Sequence, residues 1–415
     1  MAYSHDSPSS AGPRSVVITG AGILSPMGHG LDENSVGLRA GRSCFSTITS
    51  FDVSRQRVQT AGQVEIPVSE VRAKIWNRMD RGTQLAYHAA REALEQAGLL
   101  TGTIQNLPQI IGTSAAAMPI GEAYYRQSLS TTARRSEQLR RVETYQSQQQ
   151  LTTMARELKV SGPLRIVSNA CASGANAIGQ AFHLVRSGKA ERVLAGGYDA
   201  LSQLVFAGFD ALQALSPSGI PRPFDAARDG LALGEGAAFV VVESQAAARA
   251  RSVPILAEIL GYGAATDIHH LTQPNPQGDA ALLTMRAACE MAGVMPEQID
   301  YLNSHGTGTP LNDIAEGNAI QRWAGNQVSK IKVSSTKSAI GHLLGGAGSV
   351  EAVITLLALR DQFLPASLHV READPVCSFD LIREPRTTSV QRVLTNSFGF
   401  GGANATLIFA KEGAA

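Results

Sequence analysis

Cysteine is scarce in this chain, with four among 415 residues, and aromatic residues make up only 5% of it. Cys44, Cys171, Cys289 and Cys377 lie far apart, with no CxxC pair and no Cys/His cluster at zinc spacing. Neither a disulfide framework nor a structural zinc site therefore organises the chain, and a reduced, cytoplasmic setting is expected. Neither sign of charge is in excess: 36 Lys and Arg against 35 Asp and Glu leave a formal charge of +1. That balance excludes broad binding to nucleic acid or to a membrane surface, so any acidic partner must be met by a local patch. Long apolar runs are missing too. The stretch "SVVITGAGIL" is far too short for a membrane span and has no charged leader with a cleavage site. The same region lacks the third glycine of a dinucleotide-binding loop, since Gly20 and Gly22 are followed by Ser25. With no acidic residue closing a second strand about 20 positions on, nicotinamide and flavin binding are set aside.

What the chain does have is a repeated alternation. Residues 1–13, Ser/Pro/Gly-rich and without periodicity, read as a disordered tail. Beyond them, short β-branched or apolar runs recur, among them "SVVITG", "QIIGTS", "RIVSNA", "RVLAGG", "AAFVVVE", "IDYLNSHG", "IKVSSTK", "RVLTNSF" and "ATLIFA". Between them stand helix-like stretches such as "RGTQLAYHAAREALEQAG" and "DAALLTMRAACEMAG", apolar at helical spacing and ending at glycine. Strands alternating with helices imply an α/β fold with mainly parallel central strands. Two segments echo each other weakly, "RIVSNACASGANAIGQAFHLVRSG" and "KVSSTKSAIGHLLGGAGSVEAVITLLALRDQ". Each passes from a strand through a polar turn into a helix of small residues, which suits a helix sandwiched between two sheets.

Chemistry concentrates in the same segments. A lone cysteine is usually an inert core residue, but Cys171 falls at a strand-to-helix turn. There, free backbone N–H groups and the positive end of the helix dipole are expected to lower its thiol pKa. Ala170, Ala172, Ser173 and Gly174 around it leave room for an attacked carbonyl. A lone histidine is more often a hydrogen-bonded structural residue, yet His305 and His342 both follow strands and both are flanked by residues too small to shield them. If the halves face each other, two neutral imidazoles converge on Cys171, able to donate to an enolate or shuttle a proton. Lys337 stands five residues before His342, and glycines around Phe398 and Phe400 permit tight turns whose backbone N–H groups point into a site.

The ordered motifs "NACASGANAIG", "RPFDAARDGLALGEGAA", "NSHGTGTPLND", "SSTKSAIGHLLGGAGSVEA" and "NSFGFGGANA" resemble those of the β-ketoacyl-[acyl-carrier-protein] synthases of the elongating, KAS II-like branch. The resemblance covers nearly the whole chain from about residue 14. It implies a thiolase fold, two similar halves in five α/β/α/β/α layers: residues 14–260 with the nucleophile and 261–415 with the catalytic histidines. It further implies a homodimer or a heterodimer with a related ketosynthase subunit, and an acyl carrier protein as partner, with no nucleic acid and no membrane. By the same resemblance Cys171 is the nucleophile that takes the acyl group, and His305 and His342 support decarboxylation of malonyl-carrier protein. The N–H groups of Cys171 and Phe400 form the oxyanion hole, with Phe400 also the gate. Thr307 and Thr309 bind the pantetheine arm, and Lys337 and Glu351 support the histidines. No metal or redox cofactor is required, the substrates riding on the carrier protein's phosphopantetheine. The second histidine in "GHLLGG" favours elongation over a starter-type Cys-His-Asn pattern.

Two departures bear on the acyl chain. Gln146, Gln149 and Gln150 replace a largely apolar stretch at the pocket wall and dimer interface of related enzymes, and Ala115 to Ala117 stand where a bulkier aliphatic side chain often narrows the pocket. A wider or more polar pocket suits a polyketide, polyene or aryl-primed chain, against the simpler reading that the glutamines face solvent and the alanines repack. Arg126, Arg134, Arg135 and Arg140 are candidate carrier contacts, or a solvated charged face. The alternatives are a non-catalytic chain-length-determining partner subunit, which typically loses the cysteine, and a cysteine hydrolase.

Overall fold

The computed structural model describes residues 12–130 and 142–414, so most of the expected tail and Arg134, Arg135 and Arg140 lie outside the described residues. The strands that build the core are β1 (Val16–Ser25), β2 (Gln109–Gly112), β3 (Leu164–Val167), β4 (Arg192–Asp199) and β5 (Gly236–Ser244), then β6 (Ala257–Thr266), β7 (Tyr301–Asn303), β8 (Lys332–Ser334), β9 (Arg392–Phe398) and β10 (Ala403–Ala410). Their order across the sheet is β8, β7, β9, β10, β6, β1, β5, β4, β2, β3, with the short strand Asp380–Leu381 outside β8. β1 pairs antiparallel with β5, and β5 with β4; β4, β2 and β3 then run parallel. β6, β10, β9, β7 and β8 repeat that arrangement step for step.

The expectation of mainly parallel strands holds: in each half four of the five strands run the same way, and only β5, with its counterpart β10, runs against the rest. For β9 and β10 the reason is the connection. Only Gly399–Gly402 join them, far too few residues for a crossover.

The principal helices are α1 (Arg81–Gln96), α2 (Ser173–Arg186), α3 (Asp279–Ala292), α4 (Pro310–Ala324) and α5 (Ala347–Asp361). α2 and α5 pack on each other and touch strands of both halves, and every residue of α5 from Ala347 to Leu359 is buried. The Gly/Ala-rich helices are therefore the middle layer. α1 covers β1 and β5, and α3 covers β6 and β10, which completes the five α/β/α/β/α layers. The two five-stranded arrangements join where Val17 of β1 faces Glu258 of β6 and Ile18 faces Ala257.

The glycines that imitated a nucleotide loop serve helix packing. A Cβ on Gly20 or Gly22 would stand 2.1 Å from the Ala93 or Ala89 carbonyl oxygen of α1. Gly261 and Gly263 of β6 meet α3 in the same way, at 2.1 Å from the Ala288 oxygen and 2.0 Å from that of Thr284. No side chain fits at either contact. Among the described residues, no helix is long and apolar enough to cross a membrane.

Candidate active site

Leaving β3, the chain turns through Ser168–Ala172 into α2, with Ala170 held at φ +53°. Ser173 pins this turn: its hydroxyl accepts from the Asn169 N–H at 2.9 Å and donates to the Ala170 carbonyl at 2.6 Å. Cys171 is thereby presented at the helix start while remaining 7% exposed. The sequence led us to expect a lowered thiol pKa, and the structure gives the opposite direction. Burial pushes the Cys171 thiol up to about 11, against the pull of the Lys337 charge and a hydrogen bond from the Phe400 backbone N–H. Loss of thiolate hydration outweighs the half-charge of a helix end.

His305 stands just beyond β7, in a loop gripped by two carboxylates from α4. Glu316 accepts from the N–H groups of His305 and Gly306 at 2.8 and 2.7 Å, and Asp313 from that of Gly308 at 3.2 Å. Arg228, 3.6 Å from Asp313, also donates to the Thr309 and Pro310 carbonyls. His342 follows β8 and is docked onto the other half: its N–H donates to the Ala232 carbonyl at 2.7 Å, and its carbonyl accepts from Gly234 at 3.0 Å. The two imidazoles come together edge to face, with ring centroids 5.4 Å apart. Both are buried, with Nδ1 of each unpartnered. Desolvation, the nearby Lys337 charge and, for His305, the neighbouring His342 hold their pKa values well below the ordinary imidazole value, so both are neutral.

A cavity of about 390 Å³ joins these pieces. Cys171, His305, His342, Thr307, Thr309 and Phe400 all line it, which is the convergence expected of facing halves. Thr307 and Thr309 share a 2.8 Å hydrogen bond between hydroxyls. Phe400 stacks on Phe209, with centroids 5.8 Å apart, at the apolar mouth.

Residues 13–248 match the β-ketoacyl synthase N-terminal domain, and residues 256–371 the C-terminal domain. The chain belongs to the β-ketoacyl synthase family. It is 36% identical over 414 residues to the 3-oxoacyl-[acyl-carrier-protein] synthase 2 of Staphylococcus aureus, covering 95% of this chain and 98% of that one. Among solved structures, the ishigamide ketosynthase/chain length factor superposes with a TM-score of 0.88 at 35% identity, over 97% of this chain and 100% of that one. A type II PKS ketosynthase in complex with its acyl-carrier protein, bound to the hexaketide, superposes with a TM-score of 0.84 at 27% identity, over 96% and 100%. The thiolase-like fold and the β-ketoacyl-[acyl-carrier-protein] synthase activity follow from these relationships.

Around the synthase site, Lys337 and Glu351 form a buried ion pair. Burial pushes the Glu351 carboxyl up to about 7, with Lys337 pulling the other way. The residues tied to the acyl chain fall elsewhere. Gln146 and Gln149 are exposed. Gln150 is buried but faces away from the cavity, its carbonyl accepting from the Asp80 N–H at 3.2 Å and its amide donating to the Thr144 carbonyl at 2.7 Å. Ala115 sits outside the cavity lining, in an apolar cluster with Phe206, Leu201 and Leu344. Arg126 is paired with Glu122 at 3.8 Å.

Sequence reasoning passed over Glu316, Asp313, Arg228 and Phe209. Glu316 carried a usable signal: it follows Asp313 by three residues, so one face of α4 presents both acids to the His305 loop.

Proposed function

We propose that the cavity carries out a decarboxylating Claisen condensation between an acyl thioester and malonyl-acyl-carrier protein, yielding a 3-oxoacyl-carrier protein in fatty-acid or type II polyketide or polyene elongation. The observation that carries this reading is the meeting of Cys171, His305 and His342 in one cavity, with the Phe400 N–H at the Cys171 sulfur. In the first half-reaction the sulfur attacks the acyl carbonyl, and the Cys171 and Phe400 N–H groups receive the oxyanion. Because the resting group is a thiol, a neutral imidazole takes its proton during attack and returns it to the departing pantetheine thiolate. In the second, malonyl loses carbon dioxide. The two neutral imidazoles donate to the enolate oxygen, and the enolate carbon displaces Cys171 from the acyl-enzyme.

Thr307 and Thr309 hold the pantetheine arm, Lys337 and Glu351 support the histidines, and Phe400 gates the cavity. The nucleophile belongs to the half 14–260 and the histidines to 261–415. No metal or redox group enters any step. The enzyme works in the cytoplasm with an acyl carrier protein, as a homodimer or with a related ketosynthase subunit. Ala115, Gln146 and Gln150 are the candidates for shaping the acyl-chain end of the site.

Intact-protein mass spectrometry after mixing with saturated, polyunsaturated and aryl-primed acyl-carrier proteins, then malonyl-carrier protein, tests the reading. Acylation at Cys171 followed by two-carbon extension is expected. Failure of every chain to acylate would instead mark a partner subunit, and release of free acid without malonyl a hydrolase.

A further inference from the structure

One buried carboxylate outside the cavity lining bridges the two halves at the active site. Asp199, the last residue of β4, is 0% exposed. Its Oδ1 accepts from the Thr113 hydroxyl at 2.6 Å and from the N–H groups of Ala115 and Ala116 at 3.0 and 2.9 Å. Its Oδ2 accepts from the Ser114 N–H at 2.9 Å, the Ser114 hydroxyl at 2.7 Å and the Gly345 N–H at 2.6 Å. Six donors exceed what tethering one loop requires, and four are backbone groups that cannot accept in return; they favour the ionised form, working against the burial that raises the carboxyl pKa.

The donors come from two places. Thr113–Ala116 belong to the first half and lead into the apolar cluster of Ala115 and Phe206; Gly345 belongs to the turn that follows His342 in the second. On each side stands a non-glycine residue in the left-handed region, Ala116 at φ +48° and Leu344 at φ +52°. Such strained conformations persist only where their surroundings over-determine them. Glycine makes the approach possible, since a Cβ on Gly345 would lie 2.5 Å from the Ser114 nitrogen and 2.7 Å from the Asp199 oxygen.

We infer that Asp199 is a positioning residue, clamping the Thr113–Ala116 loop to the Leu344–Gly345 turn so that the acyl side of the site and His342 keep one fixed relation. The inference rests on the condensing reading above. The charge also acts on the nucleophile: Asp199 raises the Cys171 thiol pKa, opposing Lys337.

Asp199→Asn tests this, because it keeps the shape, removes the charge and sets an amide donor among donors. With the dimer fold intact by circular dichroism and gel filtration, condensation kcat is expected to fall at least tenfold. The pH profile for alkylation of Cys171 by iodoacetamide, followed by peptide mass, is expected to move to lower pH as the carboxylate charge is lost, and Thr113→Val, which loosens the same clamp but keeps the charge, separates this from rehydration of the thiol. A kcat within twofold of wild type, or a profile unmoved or moved to higher pH, would overturn the inference. Thr113→Val covers failure of the first variant to fold: it removes the hydroxyl that donates to Asp199 and accepts from the Ala116 N–H at 3.1 Å, and keeps the charge. It should lower kcat about threefold and leave the alkylation profile in place, and an unchanged kcat there counts against the clamp. A wild-type enzyme that neither acylates nor condenses would sink the condensing reading instead, leaving the alkylation shift as the separate test of Asp199.

Discussion

Lys337 and Glu351 form an ion pair sealed inside the protein, their side chains 2% and 3% exposed, and the Lys337 charge is felt by Cys171, His305 and His342 alike. One cation thus pulls the thiol pKa down and adds to the desolvation that lowers both imidazole pKa values. Lys337→Met leaves Glu351 buried without its partner, which should destabilise the fold by about 3–5 kcal/mol in denaturant titrations. It should also slow Cys171 alkylation at fixed pH. The double variant Lys337→Met, Glu351→Leu is expected to recover much of the stability but only part of the alkylation rate, because Glu351 raises the thiol pKa by less than Lys337 lowers it.

Cys171→Ala removes the group that bonds to the acyl carbon and leaves both histidines and the Phe400 N–H in place. Acyl transfer should be abolished while malonyl-carrier protein still loses carbon dioxide, measured as released radiolabelled carbon dioxide. Loss of both activities in a folded variant would contradict this division of labour.

His342→Ala should lower the decarboxylation rate on the order of 10²-fold, the contribution typical of one positioned acid–base group. Self-acylation at Cys171, with Phe400 and His305 retained, should fall much less. An unchanged decarboxylation rate would remove His342 from its assigned role.

His88 sets a pH dependence of stability. It is 5% exposed, and burial, assisted by the His29 charge, lowers its pKa to about 4. An unfolded histidine titrates near ~6.5, so between that pH and about 4 the unfolded chain binds a proton that the native chain does not. The stabilisation is therefore complete above pH ~6.5 and is lost as the pH falls. Urea titrations between pH 8 and pH 5 should show His88→Gln with a shallower acid decline than wild type, by about 2 kcal/mol. Part of the decline should remain, because His305 and His342 are shifted in the same direction.

Much of the fold was legible because it is written twice. The strand-turn-helix segments around Cys171 and His342 both carry helices of small residues, and those are the two helices of the middle layer, packed on each other and on both sheet halves. Strand direction was less legible. Apolar runs such as "AAFVVVE" look the same whether their neighbours run parallel or antiparallel, and only connection length and packing decide. The orientation of the glutamines was not legible for a related reason: side-chain polarity does not say which way a helix is turned, and Gln150 is turned towards Asp80.

By itself the sequence determined which groups meet around the cavity: one cysteine at a helix start, two histidines behind strands, a lysine and a glutamate near them, and glycines wherever backbones must touch. Those identities are local properties of the chain. Only the tertiary structure decided how they are tuned. The thiol is raised rather than lowered because burial removes water from all sides, a property of the whole fold. Glu316 and Asp199 matter because they meet N–H groups that folding brings to them, in the case of Gly345 from 146 residues away. Charge, desolvation and hydrogen bonding act through space, and sequence order does not record distance.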